Sequence, residues 1–210
     1  MVVSEPDTTL TYQRTIGMTV MEGKGFYYPN DAVFTRDGKI YVLNRSLEAG
    51  GGGRGMRVSI CDIQDGFYGD WGVFGPEVGE FMWPSAICLS SDGKVFVSDE
   101  HRNKIIIFSE DGAFRSEWGN ASSEKGAFDA PSGIVINHNA EIFVSDTYNN
   151  RIQVFSLSGE FIRSIGGSGT LNMPWKISIG PEGYLYVADW GNDRICVFSQ
   201  DGEFINSYGE

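Results

Sequence analysis

The stretch "PSGIVINHNAEIFVSDTYNNRIQVFSLSGEFIRSIG", residues 131–166, has two close counterparts in this chain of 210 residues. One is "PSAICLSSDGKVFVSDEHRNKIIIFSEDGAFRSEWG", residues 84–119, and the other is "PWKISIGPEGYLYVADWGNDRICVFSQDGEFINSYG", residues 174–209. A fourth unit begins as "PNDAVFTRDGKIYVLNR" at residue 29 and resumes as "RVSICDIQDGFYGDWG" at residue 57, after a glycine-rich insertion. Such internal repetition indicates an architecture of equivalent units placed side by side.

Each unit alternates short β-branched and aromatic runs with turn residues. In residues 131–166 the runs lie at 142–144 and 152–155, and no segment of the chain sustains a helical period of 3.6 residues. The turn pairs include Asp92-Gly93, Asp111-Gly112, Ser158-Gly159 and Asp201-Gly202. These are hairpin signals, so each unit is predicted to form four short antiparallel strands, the pattern of a propeller blade.

Two segments, "PSGIVINHNAEIFVSDTYNNRIQVF" and "LYVADWGNDRICVF", resemble the hallmark of the NHL repeat family of β-propellers. The resemblance implies an all-β fold of four NHL-type blades in a single domain over residues 1–210. The blades are expected at residues 25–72, 80–119, 127–166 and 171–209. The resemblance does not specify function, because the family includes RNA-binding domains, protein-binding modules, sensor domains and a peptide-amidating lyase.

Residues 10–17, "LTYQRTIG", look like a surplus outer strand, since they match "FIRSIG" at residues 161–166. The last unit already ends in its own outer strand, "FINSYG". Three interpretations follow: an arc of a larger ring, a self-associating half ring, or a closed ring of four blades. We expect self-association, because an open arc exposes blade faces and strand edges that need a cover.

The charge balance bears on the partners of the protein. The formal net charge is −12 at pH 7, and the 16 Lys and Arg residues are scattered along the chain. Binding to nucleic acid or to an anionic membrane surface is therefore not expected. Three cysteines without a CxxC spacing and a start without signal-peptide character favour the cytoplasm.

A polar residue recurs fifteen positions after the first proline of each unit, at Asn44, Asp99, Asp146 and Asp189. A basic residue follows it in each unit, at Arg57, Lys104, Arg151 and Arg194. We expect each carboxylate to accept backbone N–H bonds in the turn between the second and third strands and to pair with the basic residue. The alternative is a ring of carboxylates that holds calcium in the channel. No other cofactor is predicted, and two histidines are too few for a zinc site like that of the family's lyase.

The residues that do not recur are the candidates for ligand binding. They fall in the loops expected at one face: Tyr28, Arg45, Trp83, Glu100, His101, Arg102, Tyr148, Trp175, Lys176 and Trp190. Aromatic rings with a few cations and an imidazole suit a peptide, a protein surface or a small ligand. The leading hypothesis is a non-catalytic binding or assembly module. The alternatives are a lyase or hydrolase with a channel site, helped by a divalent ion, and RNA binding.

Overall fold

The computed structural model describes residues 12–17, 25–45, 55–167 and 169–209, and these form sixteen strands in four antiparallel sheets. Blade 1 contains β1 (Pro29–Phe34), β2 (Lys39–Asn44), β3 (Arg57–Asp62) and β4 (Phe67–Trp71); blade 2 contains β5 (Pro84–Leu89), β6 (Lys94–Asp99), β7 (Lys104–Ser109) and β8 (Phe114–Trp118). Blade 3 contains β9 (Pro131–Ile136), β10 (Glu141–Asp146), β11 (Arg151–Ser156) and β12 (Phe161–Gly166); blade 4 contains β13 (Pro174–Ile179), β14 (Leu185–Asp189), β15 (Arg194–Phe198) and β16 (Phe204–Gly209). Among the residues described, no helix has the length and apolar character to cross a bilayer.

The hairpin turns follow from the turn residues in the sequence. Between β5 and β6, Gly93 has φ 81° and donates its N–H to Ser90 O at 3.2 Å. Ser90 in turn donates its N–H to Lys94 O at 2.9 Å, which closes the hairpin. A positive φ costs glycine little, because it has no Cβ, so the Asp92-Gly93 pair fixes where this hairpin reverses.

The blades stack through their sheet faces, and strand alternation divides each blade between two cores. On β10, Ile142 and Val144 point toward blade 2 and pack in one cluster with Phe96. Phe143, between them, points toward blade 4 and packs with Leu185. Both faces of an inner blade are therefore buried, which is why its strands are nearly continuously apolar. The predicted all-β propeller of four four-stranded blades is confirmed.

The N-terminal segment requires a correction. Residues 10 and 11 of the predicted surplus strand lie outside the described residues, and residues 12–17 are not paired as a strand. No described strand lies beside them to supply the hydrogen bonds. Instead, Ile16 packs on Ile40 and Val42, on the face of blade 1 that points away from blade 2. The core of the glycine-rich insertion, residues 46–54, also lies outside the described residues.

Candidate functional site

The turns between second and third strands lie at the same end of the propeller as the loops that lead into the first strands. A backbone hydrogen bond joins turn and loop in each blade: Arg45 N–H to Tyr28 O, Glu100 N–H to Trp83 O, Tyr148 N–H to Asp129 O and Gly191 N–H to Asn172 O, at 2.9, 3.0, 3.1 and 2.8 Å. We call this end the mouth. It contains nine of the predicted ligand candidates: Tyr28, Arg45, Trp83, Glu100, His101, Tyr148, Trp175, Lys176 and Trp190.

The recurring carboxylate of blade 3 ties its turn to the loop before the blade. Asp146 is fully buried and accepts hydrogen bonds from the Asp129 N–H at 2.7 Å, Arg151 Nε at 2.7 Å and Gln153 Nε2 at 2.9 Å. Burial raises the pKa of Asp146, and these hydrogen bonds oppose that rise. The carboxylate oxygens are occupied by protein donors, which leaves them poorly placed to hold a cation.

Blade 4 repeats the arrangement with a different electrostatic outcome. Asp189 accepts hydrogen bonds from the Asn172 N–H at 2.6 Å, Asn192 Nδ2 at 2.8 Å and Arg194 Nε at 2.7 Å. Burial pushes the pKa of Asp189 upward, but the hydrogen bonds outweigh it and the pKa lies below the usual value. Blade 4 is the more open blade, so the desolvation that dominates at Asp146 is weaker here.

Blade 2 departs from the predicted pairing. Lys104 does not bind Asp99, and its Nζ lies 3.7 Å from Glu117. Arg102 occupies the expected place of the basic residue, because its Nη1 donates to Glu80 O at 2.8 Å and also lies 3.0 Å from Glu117. A guanidinium can bind a carbonyl and a carboxylate in two directions at once, whereas an ammonium is a single point charge. Arg102 is thus engaged within blade 2 and is removed from the ligand candidates.

Blade 1 replaces the carboxylate by an amide and re-pairs its arginine. Asn44 accepts the Tyr27 N–H at 2.8 Å through Oδ1, as the aspartates accept theirs. Arg57 places Nε 3.4 Å from the Asp70 carboxylate on β4, and its Nη2 donates to Gly25 O at 3.4 Å. The arginine therefore keeps its bond to the preceding loop although its carboxylate partner has changed.

A polar network lies beneath the aromatic rings of the mouth. Arg45 Nη2 pairs with Glu100 Oε2 at 2.9 Å, and both side chains are largely buried. Arg45 Nη1 donates to Ser85 Oγ at 3.1 Å, and Ser85 Oγ donates to the other oxygen of Glu100. The guanidinium also stacks on Trp83, 4.8 Å from the ring centroid. Both oxygens of Glu100 are occupied, so this carboxylate holds Arg45 in place and is not poised as a general base.

Lys176 crosses the channel from the innermost strand of blade 4. Its Nζ donates to Ser85 O at 2.7 Å and lies 3.5 Å from Asp31 Oδ2 on β1. Burial lowers the pKa of Lys176, and the Asp31 carboxylate partly offsets this. The ammonium therefore links blades 1, 2 and 4 across the axis of the ring.

Aromatic rings line a cavity above this network. Trp83, Tyr148, Trp175 and Trp190 all border one cavity of about 220 Å³, together with Arg45. Trp175 and Trp190 meet edge to face with centroids 5.5 Å apart. Tyr148 and Trp190 are 57% and 54% exposed, and so stand free for a ligand. The same Trp175 borders a second cavity, of about 420 Å³, that leads to Tyr28.

Within the described part of the mouth, no set of catalytic groups is recognisable. His101 packs edge-on against Trp83, with ring centroids 6.2 Å apart. Among the described residues, no group of three His, Cys, Asp or Glu side chains stands close enough to hold a metal ion. The three cysteines are buried and unpaired, and burial raises the pKa of Cys196 to about 11.

Sequence reasoning missed the residues that hold the network together. Ser85 and Asp31 follow the first proline of their units and point into the channel, where they meet Arg45 and Lys176. In blade 3, Ser132 occupies the position of Ser85 and contacts Thr147 Oγ1 at 2.6 Å. The Pro-Ser pair at the start of two units was the available signal.

Comparisons with known proteins agree with the propeller fold. The family model described as NHL repeat matches residues 128–155 and 171–198, in blades 3 and 4. Similar solved structures include a streptogramin B lyase (TM-score 0.67, 18% identity, 93% of this chain and 57% of that chain) and virginiamycin B lyase from Staphylococcus aureus (0.64, 19%, 87% and 55%). A nidogen/laminin complex is also similar (0.61, 15%, 83% and 60%). At these identities the likeness concerns the fold, and this chain spans little more than half the length of those chains. No curated protein sequence matches it.

Proposed function

Because this chain is a β-propeller built of NHL repeats, we propose that it is a non-catalytic binding module whose mouth takes a peptide, a protein segment or a small ligand. The observation that carries the proposal is the cavity bordered by Trp83, Tyr148, Trp175 and Trp190. Aromatic side chains supply large contact areas at a small cost in conformational entropy, and they are enriched where proteins bind partners.

The charges around the cavity favour an uncharged, ring-bearing or apolar ligand. Arg45 is paired with Glu100, and Lys176 is paired with Asp31. A ligand at the mouth therefore meets aromatic faces, while the ions beneath hold those faces in place. Protein interaction is common among NHL propellers. Nucleic acid and anionic membranes are not proposed as ligands, because a net charge of −12 repels polyanions.

A lyase or hydrolase activity is the second candidate, since two of the solved structures of similar fold are named as lyases. Such an activity would place its acid or base at the mouth, where His101 is the exposed titratable ring. The binding proposal is preferred because the carboxylate of Glu100, the residue before His101 in the chain, already binds Ser85 and Arg45. No cofactor is part of the proposal.

The test is a selection of ligands by the full chain followed by quantitative binding to variants. A displayed random-peptide library and a fragment library observed by NMR provide the ligands. Binding should fall by about tenfold or more in Trp190→Ala, since truncating an aromatic hot-spot residue costs about 2 kcal/mol or more. Phe34→Ala is the matched control, because Phe34 is 66% exposed and borders a separate cavity with His138.

Failure of both libraries to yield a ligand, or equal binding by wild type and Trp190→Ala, would reject the mouth as a binding site. Turnover of a selected ligand that is lost in His101→Ala would favour the lyase or hydrolase candidate instead.

A further inference from the structure

Residues 12–17 repeat a contact that blade 3 makes with blade 4. In β12, Arg163 Nη2 donates to Gln200 O at 2.8 Å, in the turn between β15 and β16. Arg14 Nη1 donates to Ile63 O at 2.7 Å, in the turn between β3 and β4. The turns "FSQDGEF" and "CDIQDGF" align without a gap, and the two carbonyls hold the same position in them. Arg14 therefore binds blade 1 as Arg163 binds blade 4.

The apolar contact next to this arginine is repeated as well. Ile165 lies in the core between blades 3 and 4, in one cluster with Leu185. Ile16 packs on Ile40, which occupies in blade 1 the position of Leu185 in blade 4. The two isoleucines thus cover equivalent places on the two blades.

The glycine after each isoleucine completes the match. A Cβ built on Gly166 would lie 2.5 Å from Leu171 Cδ1, and one built on Gly17 would lie 2.5 Å from Phe26 Cε2. Leu171 and Phe26 hold the same position, three residues before the first proline of their units. Three successive contacts agree, so residues 12–17 cover blade 1 as the outer strand of a preceding blade would.

The opposite end of the arc has an open face. Three residues that blade 3 buries against blade 4, Phe143, Ile152 and Ile165, correspond to Tyr186, Ile195 and Tyr208 in blade 4. The first three are at most 2% exposed, whereas Ile195 is 39% and Tyr208 is 58% exposed. Tyr186, Ile195 and Tyr208 form what we call the far face of blade 4, and no described residue covers it as blade 4 covers blade 3.

We propose that the far face of blade 4 docks on blade 1 of a second copy of this chain, with residues 12–17 displaced from that blade. Blade 1 presents Ile40, Val42 and Cys61 where blade 4 presents Leu185, Val187 and Phe198 to blade 3. The new contact therefore continues an interface that the chain already repeats three times. It joins unlike surfaces of the two copies, so it produces a closed ring or an open filament. Two copies contribute eight blades, within the usual range for propellers.

Residues 12–17 inhibit self-association in this arrangement. They occupy the surface that blade 4 of the second copy needs, and their contacts must be lost before docking. Weakening those contacts should therefore strengthen self-association, while a charge on the far face should abolish it. This pair of opposite effects does not depend on the function proposed for the mouth.

The test is sedimentation velocity of the full chain over a range of concentrations. The double variant Arg14→Ala, Ile16→Ser should self-associate about tenfold more tightly than wild type, because the competing segment is released. Adding Ile195→Asp to the double variant should remove that gain. Val78→Asp is the matched control, since Val78 is 65% exposed and lies between blades 1 and 2. Circular dichroism checks the fold of each variant, and Arg14→Ala alone serves where the double variant does not fold.

If wild type and the Arg14→Ala, Ile16→Ser variant self-associate equally tightly, the proposal is overturned. A gain in association that survives Ile195→Asp would overturn it as well, because that association would not use the far face.

Discussion

Lys176 Nζ on the inner strand of blade 4 lies 3.5 Å from the Asp31 carboxylate on the inner strand of blade 1. The two blades are the first and the last of the chain, and this ion pair spans the channel between them. The same ammonium donates to Ser85 O in blade 2 at 2.7 Å. Blades 1, 2 and 4 are therefore connected across the channel, in addition to the face contacts between successive blades.

The titration of Lys176 should appear in the pH dependence of stability. Burial lowers its pKa below the usual 10.5, so the folded protein binds this proton less tightly than the unfolded chain does. The stability of wild type should therefore rise, relative to Lys176→Met, as the pH increases toward 10.5. Urea unfolding of both proteins from neutral to alkaline pH measures the difference. If the stability difference between wild type and Lys176→Met stays constant or falls as the pH rises, the pKa of Lys176 is not lowered by folding.

The buried carboxylate of blade 3 should be a major contributor to stability. Asp146→Ala removes the acceptor of Arg151 Nε and of the Asp129 N–H, and it takes one of the acceptors of Gln153 Nε2. Removing one partner of a buried, hydrogen-bonded pair costs about 3–5 kcal/mol. Asp37→Ala breaks an exposed ion pair with Lys39 and should change the free energy of unfolding far less, because solvent screens that pair. Comparable losses in the two variants, measured by chemical denaturation, would argue against the role assigned to Asp146.

Arg102, and not Lys104, makes the contacts of the basic residue in blade 2, so Arg102→Ala should destabilise the protein more than Lys104→Ala. Arg102→Ala removes bonds to Glu80 O and Glu117 and should cost about 2 kcal/mol, as hydrogen bonds to charged groups do. Lys104→Ala removes one contact, at 3.7 Å, and should cost less than about 1 kcal/mol. Thermal unfolding of both variants decides the order. The reverse order would mean that the repeat position, and not the observed contact, determines the contribution.

Calcium should leave the stability of the protein unchanged. The oxygens of Asp99, Asp146 and Asp189 accept hydrogen bonds from protein N–H groups, and two of the three also pair with arginine. Binding a cation would require breaking those bonds. We therefore expect the same unfolding temperature in excess calcium and in a chelator, by scanning calorimetry. If calcium instead raises the unfolding temperature, and Asp189→Asn abolishes that rise, the result would support a calcium site in the channel.

Much of the site was predictable because the repeat itself separates two kinds of residue. Positions that recur, such as Asp146, serve the turn, and positions that vary, such as Tyr148 and Trp190, face the cavity. The repeat could not reveal Ser85, whose importance arises from contacts with Arg45 and Lys176 that belong to other blades. It also misassigned Arg102, because a repeat position indicates where a side chain starts and not the partner that it reaches.

The sequence by itself determined the all-β blades, their number and the hairpin turns, because strand alternation and short turn pairs such as Asp-Gly are local properties, and the unit that carries them recurs four times. The tertiary structure decided which charges pair, which aromatic rings share a cavity and where residues 12–17 lie. These depend on side chains from blades far apart in the chain meeting around one axis. The alternation of side chains along β13 defines which way Lys176 points, and only the stacking of the four blades into an arc brings Asp31 to it.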